Sequence, residues 1–246
     1  MLKKIMALSA AALLGLAGLT GCTAGEVGAN SSVPGTDTGK SGSGDTSTAA
    51  KLTGSLVMAG STSMEKVCGA LGEAFGDKHP ELTIDLQATG SGAAITALND
   101  GTAQIGNLSR AVKDSENPDG KYEAITIALD GIAIIVHKNN AAADLTAEQL
   151  ASIFKKEVTN WKDVGGPDKA ITVIGRETGS GTRDGFEEVV KVKDACQYDA
   201  TLDSTGAVVA RVASDEGAIG YVSFASVGDG VKALKVGGVT PSESTI

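Results

Sequence analysis

Three short turns carry most of the residues able to do chemistry: Ala59-Gly60-Ser61-Thr62-Ser63, Thr89-Gly90-Ser91-Gly92 and Thr178-Gly179-Ser180-Gly181-Thr182. Each sets hydroxyl residues beside glycine, follows a strand-like run and opens a helix-like one. The start of a helix presents N–H groups with no partner inside it and about half a positive charge. Glycine lets the backbone approach a bound group closely, and each Ser or Thr hydroxyl adds a further donor. Such turns suit a small oxyanion, and Arg176 beside the third adds a guanidinium. Ser and Thr also cap helices everywhere, so one such turn says little. Three in one chain point to a shared ligand.

Composition narrows the alternatives. The chain has 246 residues, a formal charge of −9 and a pI near 4.8, which argues against a binder of nucleic-acid backbones. Aromatic residues make up 3%, too few for a base- or sugar-stacking platform. His79 and His137 are the two histidines and stand in no motif, and with three cysteines they offer little for a metal centre or a His-dependent triad. No metal and no organic cofactor is expected. Ser63-Met64-Glu65-Lys66 matches the S-x-x-K of penicillin-recognising enzymes but lacks the partner motifs, and neither Ser91 nor Ser180 sits in a G-x-S-x-G elbow. Pro34-Gly35-Thr36-Asp37-Thr38-Gly39-Lys40-Ser41 imitates a phosphate loop without its first glycine or a flanking strand. The reading is therefore of a binder, not an enzyme.

The elements that must hold these turns alternate between strand and helix. Leu52–Met58 reads as a strand, followed by a helix with Met64, Val67, Cys68, Leu71, Ala74 and Phe75 on one apolar face, a capping box at Thr62 and Glu65, and a stop at Gly76. Leu82–Leu86 is a second strand, Ile95 and Leu98 mark a short helix, and Gln104–Gly106 a third strand. A β-rich run from Ala124 to Val136 breaks at Asp130-Gly131. Thr146 and Gln149 form another capping box, Ala170–Gly175 a strand, Thr182–Val190 and Thr205–Ser214 helices, and Ala218–Phe224 a strand. The class is α/β, with mostly parallel sheets. Cys68 reads as core and Cys196 as belonging to another element, so both are expected to be free thiols.

The N-terminus reads as an address. Lys3 and Lys4 precede an apolar run from Ile5 to Leu19, and small residues follow, which is a secretory signal in residues 1–22, too short to span a bilayer. Its Leu19-Thr20-Gly21-Cys22 ending resembles a bacterial lipobox, which implies lipidation of Cys22 and two acyl chains for stable anchoring. In residues 23–50, Gly, Ser and Thr fill more than half the positions, the composition of a flexible linker with a root-mean-square span of about 30 Å.

The run Gly60-Ser61-Thr62-Ser63, Thr89-Gly90-Ser91-Gly92, Ile105-Gly106-Asn107-Leu108-Ser109-Arg110 and Arg176-Glu177-Thr178-Gly179-Ser180-Gly181-Thr182 resembles the phosphate-binding proteins of bacterial ABC transporters. Asn160-Trp161 and Gly217-Ala218-Ile219-Gly220-Tyr221 look like that family too, and the likeness spans roughly residues 52–240. It implies a two-lobed clamshell of the type II periplasmic-binding-protein kind, with mixed sheets flanked by helices. Lobe 1 would comprise 51–130 and 226–246, and lobe 2 131–225. The ligand would be inorganic phosphate, the partners ABC permease subunits and, through the lipid anchor, the membrane. A monomer is expected, outside the cytoplasm.

Position by position, the resemblance puts Ser61, Thr62, Ser63, Ser91 and Ser109 on one side of the phosphate, and Arg176, Ser180, Gly181 and Thr182 on the other. Some relatives carry an aspartate after the serine aligned with Ser109. This chain has Arg110 there, so Asp130 is assigned as the carboxylate that accepts the proton of monohydrogen phosphate and repels sulfate, with Arg110 adding charge or pairing with Asp130. Members of the family usually continue beyond the segment resembling Val231–Leu234. Alternatives are another tetrahedral oxyanion (sulfate, molybdate or tungstate), an exported enzyme acting on phosphate esters, and a phosphate-sensing surface lipoprotein without transport.

Overall fold

The computed structural model describes residues 8–14 and 51–246. Cys22, the linker and the imitation phosphate loop lie outside them. In chain order the strands are β1 (Leu8–Leu14), β2 (Gly54–Gly60), β3 (Leu82–Ala88), β4 (Ile105–Leu108), β5 (Glu123–Asp130), β6 (Ile132–His137), β7 (Asp144–Leu145), β8 (Thr172–Arg176), β9 (Ala200–Leu202), β10 (Ala218–Ser223), β11 (Val231–Ala233) and β12 (Lys235–Val236). The helices are α1 (Glu65–Lys78), α2 (Ser91–Asn99), α3 (Ala147–Phe154), α4 (Gly181–Val190) and α5 (Thr205–Ala213).

Two five-stranded sheets define two lobes. The first runs β3-β2-β4-β1-β5, and β2 is parallel to both β3 and β4. The second runs β11-β6-β10-β8-β9, with β10, β8 and β9 parallel and β6 antiparallel to β10. Mixed sheets follow, not mostly parallel ones. In the second lobe, β6 shows how the core is divided. Its residues Ile132, Ile134 and Val136 join one apolar cluster, and Ala133 and Ile135 join another on the opposite face. A strand covered on both sides reads as an unbroken apolar run because its period of two is filled twice. Trp161 anchors the larger cluster and donates its Nε1–H to Gly217 O at 2.8 Å.

Four expectations are corrected. Residues 226–246 do not return to the first lobe. β11 pairs with β6, β12 pairs with β7, and Val231, Leu234 and Val236 bury into the second lobe's clusters. Among the described residues the chain therefore crosses between the sheets once, at Asp130–Ile132, where Phe224 N donates to Gly131 O at 2.7 Å. Helix α1 buries only Cys68, while Val67, Leu71 and Phe75 stay exposed, and it runs through Gly76 to Lys78. It has no side-chain cap from Thr62; Ser61 caps the preceding 3-10 turn at Thr62–Met64 instead. By contrast the Thr146–Gln149 capping box closes as expected, and Cys68 and Cys196 are free.

Leu8–Leu14 poses a conflict with the address reading. The structure pairs this segment antiparallel with β4 on one side and β5 on the other. Removal of residues 1–21 as a signal would take the strand away, so the two uses exclude each other in one molecule.

Candidate functional site

Every one of the three turns sits at the carboxyl end of a strand. β2 leads into Ser61, β3 into Gly90 and β8 into Ser180, and β4 delivers Ser109 just beyond Leu108. Parallel neighbours bring these ends together: Gly60 lies opposite Asn107 in the β2–β4 register and opposite Ala88 in the β2–β3 register. Helices α2 and α4 start directly at Ser91 and Gly181, aiming their N-termini into the same space.

The hydroxyls form one contiguous cluster. Ser61 Oγ donates to Ser109 Oγ at 2.8 Å, and Ser109 N–H donates to Ser91 Oγ at 3.2 Å. Across the lobes, Ser63 Oγ and Thr182 Oγ1 stand 2.6 Å apart. A Cβ built on Gly181 would lie 2.6 Å from Ser109 Oγ and 2.7 Å from Ser91 Oγ, so only glycine allows the opposing lobe to come this close. The Gly92 N–H donates to Gly179 O at 3.0 Å, a backbone bond between the second and third turns. Ser180 caps α4 by accepting from Arg183 N at 3.3 Å.

Arg176 is 2% exposed and comes from the end of β8. Its Nε and Nη2 pair with the two carboxylate oxygens of Glu177 at 2.8 and 2.9 Å, and Nη1 donates to Thr205 Oγ1 at 3.1 Å. Two backbone carbonyls, Leu202 O and Asp203 O, accept from the same guanidinium. A side chain held at this many points is fixed in direction, with little rotamer freedom left to lose when an anion binds.

Thr205 joins the cluster without a sequence signal of its own. It opens α5 beneath the Ser204 cap and lacks the glycine neighbour in front that marks the three turns. Its hydroxyl lies 2.9 Å from Thr62 Oγ1 and 3.2 Å from Ser63 Oγ, and its N–H donates to Thr62 Oγ1 at 3.1 Å. Asn107 is a second such residue. It is 2% exposed, shares β4's face with Ser109, and its Nδ2 has no hydrogen-bond partner among the described residues.

Two expected assignments move. Asp130 makes no hydrogen bond to the cluster. Its carboxylate sits at the crossover, where burial raises its pKa against the opposing bonds from Ser223 and the backbone N–H groups of Gly131 and Phe224. A carboxylate at a strand break turns the chain there. Arg110 does not pair with Asp130 either. It makes a double hydrogen bond to Glu116, at 2.7 Å from Nη1 and 2.6 Å from Nη2, and its Nε lies 3.2 Å from Asp184 of the opposing lobe.

Comparisons with known proteins identify the family. A family model described as a PBP superfamily domain matches residues 45–245. The phosphate-binding protein PstS of Bacillus subtilis is 33% identical over 198 residues, covering 80% of this chain and 66% of that protein. A crystal structure of a putative phosphate ABC transporter substrate-binding protein with bound phosphate, from Clostridium perfringens, is 42% identical with a TM-score of 0.72, over 76% of this chain and 77% of that one. An ABC-type phosphate transport receptor from Vibrio cholerae is 35% identical with a TM-score of 0.62, over 78% and 80%. The chain spans no more than about two thirds of the length of the curated relatives it matches.

Proposed function

The chain belongs to the PBP superfamily, and from that membership we propose that it binds inorganic phosphate between its two lobes and hands it to the permease of an ABC importer. One observation carries the reading. Hydroxyls from Ser61, Thr62, Ser63, Ser91 and Ser109 on one lobe meet Thr182, Thr205 and the buried Arg176 on the other, at the N-termini of α2, α4 and α5. A desolvated tetrahedral anion needs nearly all its lone pairs filled, and this cluster concentrates donors from several directions.

Closure follows from the same arrangement. Only a ligand touching Thr62 and Arg176 together prefers the closed state over the open one, and its differential affinity drives the lobes together. The net charge of −9 does not oppose this, because distant surface acids are screened beyond about 8 Å, and although Glu177 balances the Arg176 charge, the helix N–H groups and Arg176 Nη1 still present donors locally. The chemistry is binding and release without bond cleavage. Location outside the cytoplasm, anchoring through Cys22 and a monomeric state complete the proposal.

Titration calorimetry on phosphate-depleted protein tests it. Saturable binding of inorganic phosphate with one site per chain, tighter than that of sulfate, is expected from the likeness to phosphate-binding relatives. Equal affinity for the two would shift the reading to a general tetrahedral oxyanion, and no binding of either would end it. Turnover of a chromogenic phosphate ester would make the protein an enzyme.

A further inference from the structure

Arg176 is held by its main chain as well as by its side chain. The β8–β10 ladder closes only at Thr172↔Ala218 and Val173↔Ile219, so the N–H of Arg176, three residues further on, has no strand partner on that side. The Tyr221 phenol supplies one: Arg176 N donates to Tyr221 Oη at 3.2 Å. On the other side of the same residue, Arg183 Nη1 donates to Arg176 O at 3.1 Å. Arg183 is itself fixed, because its Nε donates to Glu187 Oε1 at 2.7 Å and its guanidinium lies 5.0 Å from the centre of the Tyr198 ring.

The two halves of this clamp are joined. Tyr198 Oη donates to Glu187 Oε1 at 2.9 Å and stands 3.1 Å from Tyr221 Oη. With the Tyr198 proton given to Glu187, Tyr221 must donate to Tyr198, and this leaves Tyr221 a lone pair for the Arg176 N–H. A single directed chain results: Arg176 N–H to Tyr221, Tyr221 to Tyr198, Tyr198 to the Glu187 carboxylate. Hydrogen bonds in such a chain polarise one another, and a buried charge at the end strengthens each step. Burial holds both phenol pKa values well above the ordinary tyrosine range, so both protons stay in place. Gly175 lies flush on the Tyr198 ring, where any Cβ would collide with it. Glu187 is 6% exposed, an unusual place for a helix carboxylate with no direct contact to the hydroxyl cluster.

We propose that Glu187, Arg183, Tyr198 and Tyr221 are positioning residues, whose network fixes the backbone of Arg176 and thereby the direction in which its guanidinium meets the anion. The proposal rests on the reading of the cleft as a phosphate site.

Two measurements separate the two claims. Amide hydrogen exchange at Arg176, in ligand-free protein, reads the clamp without any ligand. Calorimetry with inorganic phosphate reads its consequence. Tyr221→Phe and Glu187→Gln are each expected to speed exchange at Arg176 at least tenfold relative to Val173, and to weaken phosphate binding about tenfold. In an Arg176→Lys background the same two changes should add almost nothing to the loss, because the network acts through that residue. Glu188→Gln, on the exposed side of α4, should leave exchange and affinity unchanged. Tyr198→Phe, which removes one proton from the chain and keeps the ring, serves if the first two variants fail to fold. Unchanged exchange at Arg176, or faster exchange with wild-type affinity, or full additivity with Arg176→Lys overturns the proposal. If the wild-type chain binds no phosphate, the functional reading falls, and exchange at Arg176 alone decides whether the clamp exists.

Discussion

Thr62 and Thr205, 143 residues apart in the chain, meet with their hydroxyl oxygens 2.9 Å from each other, and the Thr205 N–H donates to the same Thr62 oxygen. One belongs to the first lobe and the other opens a helix of the second, so the pair exists only when the lobes are closed. Thr205 also accepts from Arg176 Nη1 at 3.1 Å, which ties the closing contact to the guanidinium. Thr205→Val keeps the shape and removes the hydroxyl. A hydrogen bond to a charged group contributes about 1.5–3 kcal/mol, so phosphate affinity should fall at least tenfold by calorimetry, while the thermal midpoint of the ligand-free protein moves little. Wild-type affinity in this variant would remove Thr205 from the site.

Gly181 offers a cleaner separation of closure from folding. An alanine methyl there would overlap Ser91 Oγ and Ser109 Oγ across the cleft, yet it sits in the first turn of α4, where alanine is the better helix former by up to about 1 kcal/mol. Gly181→Ala should therefore keep or raise the thermal midpoint without ligand and lose phosphate binding by a hundredfold or more. Small-angle scattering should show the variant failing to contract when phosphate is added.

How much of this was legible in the sequence depends on the range of the signal. The turns at Ser61, Ser91 and Ser180 were readable because glycine, hydroxyl and helix start lie within five residues of one another. The apolar run of β6 was readable because alternate residues feed two clusters. Thr205 was not, since no glycine precedes it to mark a turn of the same kind. Glu187 looks like one more acid on a solvated helix face until Arg183 and Tyr198 fold over it. Asp130 is put in the cleft by the resemblance, as the replacement for an aspartate that this chain lacks beside Ser109, and nothing in the sequence shows that its carboxylate instead bonds at the crossover to Ser223, Gly131 and Phe224. β11 and β12, with three and two residues, owe their place to β6 and β7 and not to any periodicity of their own.

The ion cluster at the cleft rim makes a pH-dependent prediction. Burial alone would raise the Glu116 pKa, but its bonds to the Arg110 guanidinium and the Lys113 N–H outweigh that and hold it below its ordinary 4.5. A carboxylate with a lowered folded-state pKa adds stability that is fully present above its unfolded value and lost as the pH falls through the folded one. Denaturant titrations should show this loss setting in below pH 4.5 and the Arg110→Ala protein losing less over the same window. In the interlobe half of the cluster Asp184 faces two cations, the buried Arg110 with Nε at 3.2 Å and the exposed Lys113 with Nζ at 2.8 Å. The exposed Lys113 pair contributes at most about 1 kcal/mol, but losing Asp184 also takes a charge partner from the buried Arg110, so Asp184→Asn should weaken phosphate binding about tenfold, with high salt reducing only the Lys113 part of the difference.

The strand at Leu8–Leu14 sets the last prediction. It is the shared neighbour of β4 and β5, and β5 has no other partner strand among the described residues. A chain that starts at Cys22, as a processed lipoprotein would, loses that pairing and leaves β5 with Ile125, Ile127 and Leu129 already exposed on an open edge. The second lobe shares no strand with β1, and it holds the single tryptophan, Trp161, fully buried. Removing residues 1–21 should thus leave the Trp161 fluorescence spectrum and its unfolding midpoint nearly unchanged while amide exchange in β4 and β5 rises by tenfold or more. If exchange in β5 stays slow in the shortened chain, another segment fills the place between β4 and β5, and the export reading of residues 1–22 stands without cost to the first lobe. If Trp161 unfolds at a lower denaturant concentration as well, the two lobes are coupled in stability and the strand supports both.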